Sequence, residues 1–124
     1  MATERLDLII NGGRTAPRRA RIALDAFNGS LGERRDDVRL IVTELVTNAV
    51  LHASADSDTS IGVRVEAAYG AIRGEITHPG SAFEARPRSD EQKYGLHLVD
   101  QLANRWGSEL FETQNRFWFE LDRT

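Results

Sequence analysis

Glu44, Asn48 and His52 recur every four residues in the run Glu44-Leu45-Val46-Thr47-Asn48-Ala49-Val50-Leu51-His52-Ala53. On an α-helix each residue turns by about 100°, so residues four apart stand one above another on the same flank. The wheel groups Arg39, Thr43, Thr47 and Val50 as a solvent-facing stripe and gives Val38, Val42, Leu45, Val46 and Ala49 to the core. Glu44 and Asn48 then fall among Leu40, Ile41 and Leu51, with Asn48 nearly opposite the stripe. A carboxylate and an amide on an apolar flank need partners, because an unpaired buried polar group costs about 1–3 kcal/mol. The plainer way to meet that need is hydrogen bonding to neighbouring strands or trapped water. The chemical way is a pocket in which the amide oxygen of Asn48 ligates a hard cation and Glu44 handles a water or hydroxyl. Magnesium suits such a place, since it takes oxygen ligands and keeps waters and substrate phosphates in its shell. His52, at the end of the line, complements the negative end of the helix dipole rather than ligating.

A second chemical feature lies at Tyr94-Gly95-Leu96-His97-Leu98-Val99-Asp100-Gln101-Leu102. A helix expected over about 95–103 begins at Gly95, where the backbone can be approached closely. The free amides and positive dipole end of such a helix favour an anion. Taken alone, a glycine ahead of a helix is more often only a turn. Lys93 beside it is either a point charge for phosphate or a solvated lysine, and His97 falls on an exposed side of the helix.

The elements that would hold these residues are legible as periodicities. Leu6-Asp7-Leu8-Ile9-Ile10 reads as a strand closed by Asn11-Gly12-Gly13. Pro17 suits the first turn of a helix carrying Ala20, Ile22, Ala23, Ala26 and Phe27, ended by Asn28-Gly29. The Glu44 helix is expected over about 33–53, followed by a polar loop at 54–58. Ile61, Val63 and Val65 alternate with polar positions in a half-buried strand, and Tyr69-Gly70 turns into a partner over about 71–77. The stretch 78–92, with its prolines and charges, is expected to be a long irregular loop of functional type. Two last strands, about 105–112 and 116–121, form another hairpin. Trp106, Phe117, Trp118 and Phe119 read as core, and the clusters Arg18-Arg19-Ala20-Arg21 and Arg34-Arg35 as solvated faces. The result is one α+β domain over 1–124, a two-layer sandwich of a mostly antiparallel sheet with its helices on one face.

Composition narrows the function classes. A length of 124 residues suits one domain, and 40% apolar with 28% charged residues is ordinary for a globular chain. A net charge of −3 gives no reason to expect nucleic acid or an anionic membrane as partner. The absence of cysteine excludes disulfides and thiolate metal sites. The first residues carry no long apolar run, so neither a signal peptide nor a membrane span is expected, and the location expected is cytoplasmic.

The run Glu44 to Ala53 resembles the N-box of GHKL (Bergerat-fold) ATPases in the E-L-x-x-N-A-x-x-H-A form of the anti-sigma-factor serine kinases. Tyr94 to Leu102 resembles that family's G-x-G-L-x-L-V segment, Asn104-Arg105-Trp106-Gly107 the strand after it, and Phe117-Trp118-Phe119-Glu120-Leu121 its final strand. The resemblance spans nearly the whole chain in order. It implies the Bergerat fold, ATP and Mg²⁺ as cofactors, Asn48 as magnesium ligand and Glu44 as catalytic base. It also places His78, Gly80, Lys93, Gly95 and Leu96 in the nucleotide site. The departures are chemical. His78-Pro79-Gly80-Ser81-Ala82 stands where the family has D-x-G-x-G, so an imidazole replaces the carboxylate that accepts the adenine amino group, and Ala82 adds a Cβ. Lys93 replaces a glycine, Tyr94 a frequent arginine, and Gln114-Asn115-Arg116 a G-x-T segment that would bring a hydroxyl.

Two functions follow from the resemblance. One is an ATP-dependent serine/threonine kinase that binds a sigma factor and phosphorylates an anti-sigma antagonist, as a homodimer where the family pattern holds. The other is a nucleotide-weak, protein-binding regulatory module without kinase activity. Intact Glu44 and Asn48 favour the first; His78, Ala82, Lys93 and Arg116 favour the second.

Overall fold

A computed structural model describes residues 4–27, 31–52, 58–79 and 90–123, with the side chains of all of these but 52 and 90–95. Strand β1 (Glu4–Asn11) is followed by helix α1 (Ala16–Ala26), a 3₁₀ turn at Gly32–Arg34 and the long helix α2 (Arg35–His52). Then come β2 (Ser60–Ala67), β3 (Ala71–Pro79), α3 (Asp90–Leu102), β4 (Arg105–Phe111) and β5 (Gln114–Asp122). The strands form one sheet in the order β1-β2-β3-β5-β4, and every pairing is antiparallel. This is the α+β layout expected from the sequence.

Period-2 alternation decides which face of the sheet is covered. Ile61, Val63, Val65 and Ala67 of β2 are buried, as are Ile72 and Ile76 of β3 and Phe119 and Leu121 of β5. These residues meet across the strands as Val63 opposite Ile76, Ala67 opposite Ile72 and Ile72 opposite Leu121. The three helices close that face: α2 packs on β3 and between α1 and α3. Val38, Ile41, Val42, Leu45, Val46 and Ala49 supply the buried side of α2. From α1 the core takes Ala16, Ala20 and Leu24, four residues apart, while Ile22 is 58% exposed. The apolar side of α1 is thus set by small residues that let α2 come close, and the expected placement of Ile22 on it does not hold.

Gly74 stands opposite Phe119 in the register. A Cβ built at Gly74 would lie 2.2 Å from Cζ of that ring. The glycine is there because the ring occupies the space.

The other face of the sheet is open and charged. Across the five strands one register row reads Arg5, Glu66, Arg73, Glu120, Arg105, alternating in sign. Arg5 pairs with Glu66, Arg73 reaches Glu120 at 3.0 Å and Arg105 reaches it at 2.9 Å. Hydrogen bonding from Arg105, then from Arg73, holds the Glu120 carboxyl below its ordinary range. The next row carries Asp7, Arg64 and Glu75. Trp118 belongs to this face, with the Arg73 guanidinium 4.7 Å from its ring centroid, so it is a partly covered surface residue and not core.

Two expectations about charges and boundaries change. Arg34 is no solvated side chain: it donates to Asp37 Oδ2 (2.8 Å), the Asp122 carbonyl (3.1 Å) and Asn104 Oδ1 (3.1 Å). It therefore ties the start of α2 to the end of β5. The stretch 78–92 is not wholly irregular either. His78 and Pro79 extend β3, where Pro79 ends the strand as the last paired residue, and residues 90–92 open α3. Residues 80–89, with Arg86 and Arg88, lie outside the described residues, as do Asn28 and Gly29.

Candidate functional site

The antiparallel register assembles one end of the molecule. Asn11 pairs with Ser60, Gly62 with Thr77, and Pro79 with Gln114, so the end of β1, the start of β2, the end of β3 and the start of β5 lie together. Helix α2 must finish at this end, because its last residue precedes β2 by a short connection, and α3 must start here, because it leads to β4 whose first residue pairs at the far end with Glu120. The second half of α2, with Glu44 and Asn48, and the first turns of α3 therefore converge over the same corner of the sheet.

Glu44 and Asn48 are half-buried, one helical turn apart. Leu40 and Leu51, on the same flank, are 45% and 67% exposed. Arg39 is exposed as expected, but Thr43, Thr47 and Val50 of the same expected stripe are half-buried, and Leu40 and Leu51 lie open beside them. The two threonines turn their hydroxyls back onto the helix, Thr43 to the Arg39 carbonyl and Thr47 to the Thr43 carbonyl, each at 2.7 Å. Asn48 sits at the boundary, between the buried Ile41 and Leu45 and the open flank. Among the described residues, no side chain or backbone group hydrogen-bonds the side chain of Glu44 or Asn48. Of the plainer expectations, hydrogen bonding to neighbouring strands is not seen among the described residues.

His78 is 4% exposed and lies on the helix-covered face of β3. Its Nδ1 is 3.0 Å from the Pro79 carbonyl, which can only accept, so Nδ1 carries a hydrogen. The ring stacks on Phe117 with centroids 6.2 Å apart. Across the ladder stands Asn115, 2% exposed. Both polar atoms of the Asn115 amide are buried and have no hydrogen-bond partner among the described residues. Leu110 of β4 flanks Asn115 on its other side.

Helix α3 starts at Asp90, so Gly95 lies inside the helix and not at its first residue. Asp90 and Glu91 are the reason: acids in a first turn complement the helix dipole, and one interior glycine costs only about 1 kcal/mol. The unpaired amides of the helix start consequently fall at Asp90–Lys93. Leu96 is half-buried, His97 is exposed, and Val99 enters the core. Trp106 donates to Asp100 Oδ1 at 2.8 Å and so ties β4 to α3. Gly80 and Ala82 lie outside the described residues, and so do the side chains of His52, Lys93 and Tyr94.

The profile of the histidine kinase-like ATPase domain matches residues 14–116. The chain belongs to the histidine kinase-like ATPase domain family. Two anti-sigma F factors of Clostridium botulinum, from strains Eklund 17B (Type B) and Alaska E43 (Type E3), are each 35% identical to it over 79 residues. Those alignments cover 60% of this chain and 55% of each relative, so the chain spans about half the length of the curated relatives it matches. The crystal structure of the RsbU and RsbW domains of a Mycobacterium tuberculosis protein superposes with a TM-score of 0.73 over 95% of this chain and 31% of the other, at 19% identity. That likeness establishes the shared fold.

Within this histidine kinase-like ATPase domain, Glu44 and Asn48 lie on the second half of α2, His78 near the end of β3 and Leu96 within α3. In the sequence Asn115 stands within the Gln114-Asn115-Arg116 departure, with nothing to mark it as buried. Next to Gln114 and the preceding turn it has the look of a turn asparagine, and only the pairing with His78 buries it. No helix among the described residues is long and apolar enough to cross a membrane.

Proposed function

We propose that this chain is an ATP-binding regulatory domain of anti-sigma type, which engages a sigma factor or its antagonist protein and transfers the γ-phosphoryl group of ATP to a serine or threonine. One observation carries the reading. Glu44 and Asn48 stand one turn apart on the second half of α2, the helix that packs on β3 and α3, without side-chain partners among the described residues.

The donor set fits magnesium only as a shared ion. Among the described residues no group of three or more His, Cys, Asp or Glu side chains could hold a metal. Asn48 would supply one amide oxygen, and phosphate oxygens and waters the remainder, which is how magnesium is commonly held. In this reading Glu44 accepts the proton of an incoming hydroxyl, and the amides at the start of α3 bind phosphate oxygens. Bound Mg–ATP supplies the phosphoryl group itself.

A second reading, a nucleotide-weak module that acts by protein binding alone, is favoured by the buried His78 at a position where the family resemblance calls for Asp. Isothermal titration with ATP separates the two. The kinase reading expects saturable, magnesium-dependent binding that Asn48→Ala abolishes. No heat at millimolar ATP sinks it and leaves the protein-binding module.

A further inference from the structure

Each of the three nitrogens of the Arg34 guanidinium donates to a different part of the chain. Nη1 reaches Asp37 in the first turn of α2 at 2.8 Å, and Nε reaches the carbonyl of Asp122 at the end of β5 at 3.1 Å. Nη2 reaches Oδ1 of Asn104, just past the end of α3, at 3.1 Å. Asn104 is itself fixed: its Oδ1 also accepts from the Asp122 amide at 2.8 Å, and its own amide donates to the Glu120 carbonyl at 2.9 Å. One planar fork thus clasps the start of α2 and the end of α3 to the same strand. A lysine could not replace it, because only the guanidinium holds its donors in a fixed plane.

Helix α2 leaves this clasp and α3 returns to it, so their far ends are the second half of α2, with Glu44 and Asn48, and the first turn of α3. Asn48 lies about 21 Å along the helix from Arg34 at 1.5 Å per residue, so a tilt of about 5° at the clasp carries it about 2 Å. Packing does little to fix that angle on the α3 side. Among the described side chains of α3, Val99 is the one in the core, with Leu102 partly buried near it. Apolar contact is non-directional, so a helix seated mainly on one such residue can rock about it. We propose that Arg34 is a positioning residue for nucleotide binding. Its clasp sets the angle between α2 and α3, and with it the spacing across which Asn48 and the first amides of α3 share one phosphate chain. Misplacement by about 1 Å at such a site is costly even when its origin is remote. The inference rests on the nucleotide reading above and adds to it a control point at the opposite end of the molecule.

The test reads the helix spacing and the affinity separately. The chain has no cysteine, so spin labels at Leu51→Cys and His97→Cys, both exposed, report the distance between the helices by dipolar electron paramagnetic resonance. Arg105→Met is the control: it removes ion pairs to Glu120 and Asp122 at the same end of β5 but belongs to the open face, away from the helices. Wild type and Arg105→Met are expected to give one narrow distance and Mg–ATP affinities within about twofold of each other. Arg34→Met is expected to give a broadened or displaced distance and to bind Mg–ATP about tenfold or more weakly, the size of one misplaced charge-assisted contact. An unchanged distance in Arg34→Met overturns the proposal. A changed distance with unaltered ATP affinity overturns it as well, and so does an equal loss of affinity in Arg105→Met. A wild type that binds no triphosphate refutes the nucleotide reading itself, and the label distance then judges the clasp on its own. Should Arg34→Met fold poorly, Arg34→Lys takes its place, since it keeps the charge beside Asp37 and lacks the fork that reaches Asn104 and Asp122.

Discussion

Replacing Gly74 with alanine tests the packing that lies under the site. The new Cβ would stand 2.2 Å from Cζ and 2.3 Å from Cε1 of Phe119, where ordinary contact begins at 3.4 Å. The ring would have to retreat by more than an ångström, and it is fully buried, with Trp106 next to it across β4. Overpacking of this kind costs about 1–3 kcal/mol. Alanine recovers about 0.5–1 kcal/mol relative to a strand glycine through the unfolded chain. The net expectation for Gly74→Ala is a loss of about 1 kcal/mol, the difference of those two terms near their mid-values, and a melting temperature lower by about 3–6 °C at this chain length. Urea unfolding followed by tryptophan fluorescence measures it, since Trp106 packs on the ring. The companion experiment is the double variant Gly74→Ala/Phe119→Leu. If the clash is the cause, the smaller leucine makes room for the new methyl, and the double variant is more stable than the sum of the single losses by about 0.5–3 kcal/mol. A Gly74→Ala protein within about 0.5 kcal/mol of wild type, or strict additivity in the cycle, would refute the reasoning.

Other perturbations address the site and its supports. Glu44→Gln is expected to retain magnesium-dependent ATP binding while lowering phosphoryl transfer about 10²–10⁴-fold, read as phosphate incorporated into a partner protein; unchanged transfer would remove Glu44 from the base role. Asp100→Ala takes the acceptor from Trp106 and is expected to cost about 0.5–1.5 kcal/mol, with faster amide exchange in α3 as its signature. Glu120→Gln tests the pairs on the open face through pH. The folded carboxyl titrates below its ordinary value, so its contribution is present above that value and is lost as pH falls through the folded one. The wild type should therefore exceed Glu120→Gln by up to about 1 kcal/mol at pH 7, with the gap closing in acid below about pH 4. A gap that persists at pH 2 would show that charge is not its origin.

Much of this architecture is legible in the sequence because burial follows simple periods. The alternation in 61–65 and the apolar face of 38–49 specify strand and helix, and the turn signals at Tyr69-Gly70 fall between β2 and β3. What a period cannot give is the rotation of a helix set by its neighbours. With α1 and α3 both packed beside α2, Leu40 and Leu51 stay open next to Arg39 while Thr43, Thr47 and Val50 are half-buried. Trp118 escapes for a related reason: in an antiparallel strand a tryptophan is equally at home on the core face or under an arginine of the open face, and parity with Phe119 decides. The boundaries of α3 and β3 were obscured by residues that serve two purposes, Pro79 as the end of a strand and Gly95 as the interior of a helix. Glu44 and Asn48 stand out through their spacing, whereas the burial of Asn115 is set by a cross-strand neighbour distant in sequence.

The alternating row Arg5, Glu66, Arg73, Glu120, Arg105 has a consequence for fidelity of folding. A strand that slips by one residue turns its apolar side outward and is rejected by the core. A slip of two residues keeps every side chain on its proper face, so hydrophobicity scarcely opposes it. Here the charges do. Shifting β3 by two against β2 sets Arg64 opposite Arg73 in one direction and Glu66 opposite Glu75 in the other. Shifting β1 by two against β2 sets Arg5 opposite Arg64, or Asp7 opposite Glu66. Each surface pair adds little to the stability of the finished sheet, yet together they make the neighbouring in-phase mispairings repulsive. That safeguard is electrostatic, so it weakens as the screening length contracts from about 8 Å at physiological salt to about 3 Å at 1 M. Concentrated salt should leave the native sheet nearly as stable while making its assembly more prone to error.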